Sequence, residues 1–189
     1  MRRHITLAEA TFGDLGLVKK TGLVLAGTLL IALAAQFSIF IGPVPLSLQS
    51  AAILGVGFAL GARLGAATLL VYLGQGAMGL PVFSGGGAGL PYMLGPTGGF
   101  LVGFVAMAWL AGWAADRGLA RRAVPATLVA LLASAMIYVP GLAWPALAFG
   151  TEWSALWAGW MAPFLAGDVL KSLIVALAVS GGLAALGRR

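Results

Sequence analysis

"FLAGDVLKSLIVALAV", residues 164–179, sets an aspartate, Asp168, and a lysine, Lys171, into a helix that is otherwise apolar. What such a pair is for depends on the medium around that helix. A soluble domain carries about 25 % charged residues. This chain of 189 residues carries 8 %, with 61 % hydrophobic residues and a mean hydropathy of +1.03. The length suits one domain, and its solvent is lipid.

A charged side chain facing hydrocarbon costs about 2.5–3.5 kcal/mol on insertion scales, so both groups are expected to point into a bundle. Three residues apart, they share one helical face. Such a pair only about breaks even against apolar packing, so stability is a weak reason for its presence. A polar solute that needs an acceptor and a cation is a better one. With 157–162 read as an interfacial turn, the pair lies about 8–12 Å along the helix from Pro163, near the outer end.

Working outward, the apolar runs number six, at about 21–41, 49–62, 64–79, 99–115, 123–142 and 157–186. Runs one, five and six reach the roughly 20 residues that cross a hydrocarbon core. The second and third are short and have to lie deep in the bundle or meet a thin region. Period-two alternation is missing, which excludes a membrane β-barrel. The fold class expected is an all-α integral membrane protein, a compact bundle of six transmembrane helices over 21–189. Residues 1–20 read as a cytoplasmic or interfacial segment, without the apolar core of a signal peptide.

Charge placement orients this bundle. With the N-terminus inside, Arg2, Arg3, Lys19, Lys20, Arg63, Arg117, Arg121, Arg122, Arg188 and Arg189 all fall on the cytoplasmic side. The outer connections carry no Lys or Arg, so both termini are cytoplasmic by the positive-inside rule, in a multi-pass membrane protein. The same distribution accounts for the net charge of +6. No sustained basic face interleaved with aromatics exists, and nucleic acid is not a partner. Cysteine is absent and the one histidine, His4, lies in the tail. That excludes disulfides, thiolate chemistry and Cys or His metal centres within the chain. Trp144, Trp153, Trp157 and Trp160 surround the connection between runs five and six, as interfacial aromatics do.

Between runs three and four lies "GLPVFSGGGAGLPYMLGPTGG", residues 79–99, without a charge. Irregular backbone at membrane depth requires protein or a wet cavity to satisfy its polar groups. The stretch therefore reads as a lid or pocket wall, with Gly79, Pro81, Gly86, Gly87 and Gly89 shaping it. Val82, Phe83 and Tyr92 are its apolar contacts. Gly85 to Gly87 permit positive φ and a close approach of backbone to a ligand. No lysine follows these glycines, so no phosphate loop is present and ATP is not bound here. Polar supplements are Ser47 and Gln49 on one side, Tyr72 on the third run, and Ser84 and Thr97 in the loop. With Asp168 and Lys171 they outline a site between helices, closed on the outer side.

"PVPLSLQ" (43–49), "GLPVFSGGGAG" (79–89), "GPTGGFLVGF" (95–104) and "FLAGDVLK" (164–171), in this order, resemble the BioY family, the biotin-specific substrate-binding subunits of energy-coupling factor transporters. The resemblance covers about two-thirds of the chain and implies high-affinity capture of biotin from the outer side. It also implies partnership with a transmembrane coupling protein and two ABC-type ATPases, which bind the ATP. Asp168 and Lys171 take the family's acidic and basic positions, and Phe83 and Tyr92 become contacts to biotin's apolar parts. Where the family often has an amide-bearing residue after "PVF[SA]", this chain has Gly85, so the ureido group turns to Gln49 or Ser84. Small residues on the first span, Gly22/Ala26 and Ala34/Ser38, have the spacing through which such subunits dock on the coupling protein. Alternative readings are a structural or other small-solute-binding membrane subunit, and an intramembrane enzyme using Asp168. Against the last, no second carboxylate, histidine or cysteine accompanies Asp168 in the sequence, so no nucleophile–base constellation forms and no catalytic residue is assigned.

Overall fold

The computed structural model describes residues 6–40 and 44–186. Arg2, Arg3, His4, Pro43 of the "PVPLSLQ" motif, Arg188 and Arg189 lie outside the described residues. The chain begins with a short helix, α1 (Leu7–Phe12), closed by a capping box: the Glu9 N–H donates to Thr6 Oγ1 at 3.3 Å and the Thr6 N–H to Glu9 Oε2 at 3.1 Å. Next come α2 (Leu17–Gln36), a β1–β2 hairpin (Ser38–Phe40 and Pro45–Ser47), α3 (Gln49–Ala77), the short α4 (Gly89–Met93) and α5 (Gly98–Asp116). A continuous run of α6 (Ala123–Met136) and α7 (Tyr138–Phe149) follows. The last run joins α8 (Trp153–Leu156), a π-helical stretch (Trp157–Met161) and α9 (Ala162–Leu186). Among the described residues, five helical runs are long and apolar enough to cross a membrane: α2, α3, α5, α6–α7 and α8–α9.

α3 is one helix by its hydrogen bonding but not by its course. Gly61 sits at φ 83°, ψ 174°, a region that only glycine visits without strain. In a straight helix Gln49 and Tyr72 would stand roughly 35 Å apart, yet Gln49 Nε2 is 2.9 Å from Tyr72 Oη. The arms 49–60 and 62–77 therefore fold back on each other. Across the bend, a Cβ on Gly65 would come within 3.2 Å of the Gly57 Cα. The sequence places this break at Arg63; the structure puts it two residues earlier, where glycine allows the reversal. Asp116, at the end of α5, accepts the Ala62 N–H at 3.0 Å and so caps the returning arm.

Both arms lie against α5. A Cβ on Gly57 would stand 2.5 Å from the Ala108 carbonyl oxygen, and one on Gly112 would run into the backbone of Gly61 and Ala62. Close backbone approach of this kind is how helices associate where lipid supplies no hydrophobic drive. Leu54, Phe58, Leu69, Met107 and Ala111 fill the centre and are fully buried. α2 stands at the periphery, with Leu25, Leu29 and Leu33 exposed on one face.

The structure departs from the sequence reading in several places. The connection read over 140–152 is helical to Phe149, because in lipid a broken helix leaves polar backbone unsatisfied. Pro140 falls in the first turn of α7, and its missing N–H removes one helical bond, which separates α6 from α7 at Ile137. Residues 157–161 are π-helical rather than a turn, so the helix holding Asp168 starts at Trp153, and depth cannot be reckoned from Pro163. The β1–β2 hairpin, with Ser38 opposite Ser47, interrupts an otherwise all-α chain. Ser38 belongs to it, so Ala34 and Ser38 do not form a helical pair. α2 begins at Leu17, inside the segment read as the N-terminal tail.

Alanine at Gly61 would meet the Asp116 carboxylate and a disfavoured φ. Thermal unfolding of detergent-solubilised Gly61→Ala is expected to show a loss of about 1–3 kcal/mol. Gly55→Ala, where no neighbour lies within 4 Å, serves as the control and should unfold no earlier than the parent.

Candidate functional site

The pair that opens the sequence reading is turned inward: the Lys171 and Asp168 side chains are 13 % and 9 % exposed. Lys171 Nζ lies 2.9 Å from Asp168 Oδ1. It also donates to Ser50 Oγ at 2.7 Å and to the Ser47 carbonyl at 3.3 Å. An ammonium has three donors, and all three are taken. On the other side of the carboxylate, Tyr138 Oη donates to Asp168 Oδ2 at 2.6 Å. β2, the first arm of α3, α7 and α9 thus converge on one charge pair. Next to it, Ser134 and Ser172 are 3.1 Å apart and tie α6 to α9.

These groups form one side of a partly open cavity between the helices. Phe100, Phe104, Ile137 and Phe164 supply apolar walls, and Phe83, Ser84, Tyr92 and Thr97 close the side under the 79–99 connection. Phe100 meets Tyr138 edge-on at 5.9 Å, which holds the phenol against Asp168.

The cap is built by three anchors. Tyr72 Oη accepts from Gln49 Nε2 and donates to the Val82 carbonyl at 2.8 Å, while Ser84 Oγ reaches Gln49 Oε1 at 3.5 Å. Trp144 Nε1 donates to the Gly95 carbonyl at 2.9 Å and pins the far end to α7. Gln36, the last residue of α2, bonds the turn at Phe83–Gly86 on both sides. The Phe83 ring stacks on Tyr92 at 5.0 Å and meets Tyr72 edge-on at 5.6 Å. It occupies the space that a Cβ at Gly76 would need, as the Tyr92 ring does at Gly87. Burial raises the Tyr92 phenol above its ordinary pKa, which keeps it a neutral hydroxyl.

Of the residues singled out in the sequence, Asp168, Lys171, Gln49, Phe83, Ser84 and Tyr92 line the cavity. Tyr72 does not; it stands behind Gln49 and the cap. Val82 contributes its carbonyl to Tyr72 and not its side chain to the wall. Gly85 is the turn of the cap, at φ 66°, and is not among the lining residues. The lid positions Gly79, Pro81, Gly86, Gly87 and Gly89 shape the loop without lining the cavity. Sequence reasoning missed Tyr138, Ser50, Gln36 and the aromatic walls. One signal for Tyr138 was present: the chain has only three tyrosines, and a phenol inside an apolar span needs a partner.

A family model described as the BioY family matches residues 4–188. A protein of Pyrococcus horikoshii named as a probable biotin transporter BioY is 36 % identical over 154 residues, 82 % of this chain and 90 % of its own length. Biotin transporter BioY2 of Lactococcus lactis subsp. cremoris is 32 % identical over 155 residues, 82 % of this chain and 85 % of its own. Among solved structures, the S-component for biotin from an ECF-type ABC transporter matches with a TM-score of 0.76, covering 89 % of this chain and 94 % of that one. At 22 % identity, that likeness is one of fold.

Removing one member of the charge pair strands the other in the interior, at a cost of about 3–5 kcal/mol. Lys171→Met is expected to lose stability on that scale in a detergent unfolding assay. The double variant Asp168→Asn with Lys171→Met, which keeps an acceptor for Tyr138, should recover most of it.

Proposed function

The chain belongs to the BioY family, and from that premise we propose that it is the substrate-specificity subunit that captures biotin at the outer side of the bacterial cytoplasmic membrane. Uptake then proceeds through an energy-coupling factor transporter. In this reading the two arms of α3 each count as a crossing, which gives six with both termini inside. The inner end carries Arg63 and the Asp116–Arg122 connection, and residues 1–20 lie at that face. A transmembrane coupling protein and two ABC-type ATPases are the partners; the ATPases bind the ATP, and this chain needs no cofactor of its own. It is a transport subunit and not an enzyme.

The observation that carries the proposal is the state of the charge pair. Every N–H of Lys171 has a protein acceptor, whereas each oxygen of Asp168 has one named partner and spare lone pairs. The polar wall therefore has acceptor capacity left and little cationic capacity. Biotin's ureido ring, with its two N–H donors, fits there. Its carboxylate would meet a lysine already neutralised and an aspartate of its own sign, so it points toward the mouth, where Ser84, Tyr92 and Thr97 offer hydroxyls. Charge-assisted hydrogen bonds contribute about 1.5–3 kcal/mol each, and the thiophane ring buries its apolar surface against Phe100, Phe164 and Phe83.

Retention of labelled biotin by the purified chain tests this reading. The intact protein is expected to retain it, and both Asp168→Asn and Lys171→Ala are expected to weaken it by an order of magnitude or more. No retention by the intact protein rejects the assignment in favour of a structural pair. Biotin methyl ester should compete nearly as well as biotin, whereas an analogue methylated on the ureido nitrogens should not; the reverse ranking would turn the ligand around.

A further inference from the structure

Gln36 lies at the C-terminal end of α2, outside the cavity lining and exposed at the rim of the cap. Its amide nevertheless has a fixed set of partners. Nε2 donates to the Phe83 carbonyl at 3.1 Å and to the Ala32 carbonyl, one turn back on its own helix, also at 3.1 Å. Oε1 accepts the Gly86 N–H at 3.0 Å. Rotating the amide by half a turn would set oxygen against two carbonyls and NH₂ against an N–H, so only one orientation serves. The segment it brackets, Phe83–Gly86, turns through Gly85 at φ 66° and Gly86 at φ 74°. It carries the two residues, Phe83 and Ser84, that close the cavity nearest Gln49.

Of the other anchors, only the Ser84 hydroxyl acts inside the turn, through a long 3.5 Å contact with Gln49 Oε1 on α3, and on one side of it alone. Tyr72 holds the cap just before this turn, through the Val82 carbonyl, and Trp144 holds it well after, at Gly95. Inside the turn the Gly86 N–H also reaches the Phe83 carbonyl at 3.1 Å, but that bond stays within the loop and ties it to nothing. Among the bonds described, Gln36 alone fixes both sides of the turn to a membrane-spanning helix.

We propose that Gln36 is the latch of the cap: a positioning residue that touches no ligand but holds Phe83 and Ser84 over the cavity and so sets how fast the bound molecule leaves. The proposal rests on the biotin reading only for the identity of that molecule. Because α2 is the peripheral helix, displacing its outer end by more than a hydrogen-bond length releases the turn while the buried Gln49–Tyr72–Val82 chain stays in place.

The test uses the full chain in lipid nanodiscs, as Gln36→Leu, which keeps the bulk and loses both bonds, and Gln36→Glu, which can accept from Gly86 but faces the Phe83 carbonyl with oxygen. Hydrogen exchange in the ligand-free protein is read over residues 80–90. Gln36→Leu should speed it by roughly three- to tenfold, the range that one or two exposed hydrogen bonds supply, with the α3 and α9 amides unchanged and Gln36→Glu in between. Dissociation of labelled biotin should quicken by a similar factor. Asp168→Asn, by contrast, should weaken binding without changing cap exchange. Unchanged exchange in Gln36→Leu overturns the latch whether or not biotin binds. Faster exchange with unaltered dissociation overturns its control of release. Should the intact protein retain no biotin, the proposed function fails, and exchange alone decides whether Gln36 holds the cap.

Discussion

A carboxylate and an ammonium held away from lipid organise this molecule. Neither group tolerates hydrocarbon, and the pair does not shelter itself: Ser50 and the Ser47 carbonyl complete the lysine, and Tyr138 completes one side of the aspartate. Supplying those partners draws β2, α3, α7 and α9 to one point. The cavity lies where these elements meet, and its polar wall is made of the same groups that make the pair tolerable. Fold and site are therefore set by one requirement, the solvation of two charges without water.

The rest of the bundle makes that convergence possible by keeping helices close. Gly57, Gly65 and Gly112 bring the arms of α3 and α5 to backbone contact, so the centre is closely packed. Toward the cap, Gly76 and Gly87 do the opposite service, leaving room for the Phe83 and Tyr92 rings. Small residues at one end exclude space and at the other end provide it.

Much of this was legible in the sequence because lipid simplifies the code. The low charge content gave the medium, and the lone Asp168–Lys171 pair marked the site. The uncharged 79–99 stretch marked the cap, since such backbone is admissible only over a pocket. What escaped has a physical reason as well. Helix ends in lipid are not written by proline or tryptophan in the way they are in water, so α7 ran on through Pro140 and Pro145, and Trp157–Met161 stayed helical. The reversal at Gly61 looks like any other glycine of a small-residue motif until its φ is known. Tyr138, Ser50 and Gln36 act through partners distant in sequence, and no local pattern announces a bond across 30 to 121 residues.

The reversal at Gly61 also decides where the bundle is closed and where it is open. Its two arms are about 12 and 16 residues long, or roughly 18 and 24 Å, against a hydrocarbon layer of about 30 Å. Neither arm alone matches that thickness, so the two are short helices held by their neighbours. Beside the reversal, the arms and α5 approach backbone to backbone at Gly57, Gly65 and Gly112. Packing is therefore closest beside the reversal, and room for a small molecule is left at the other end of the two arms, beneath the cap.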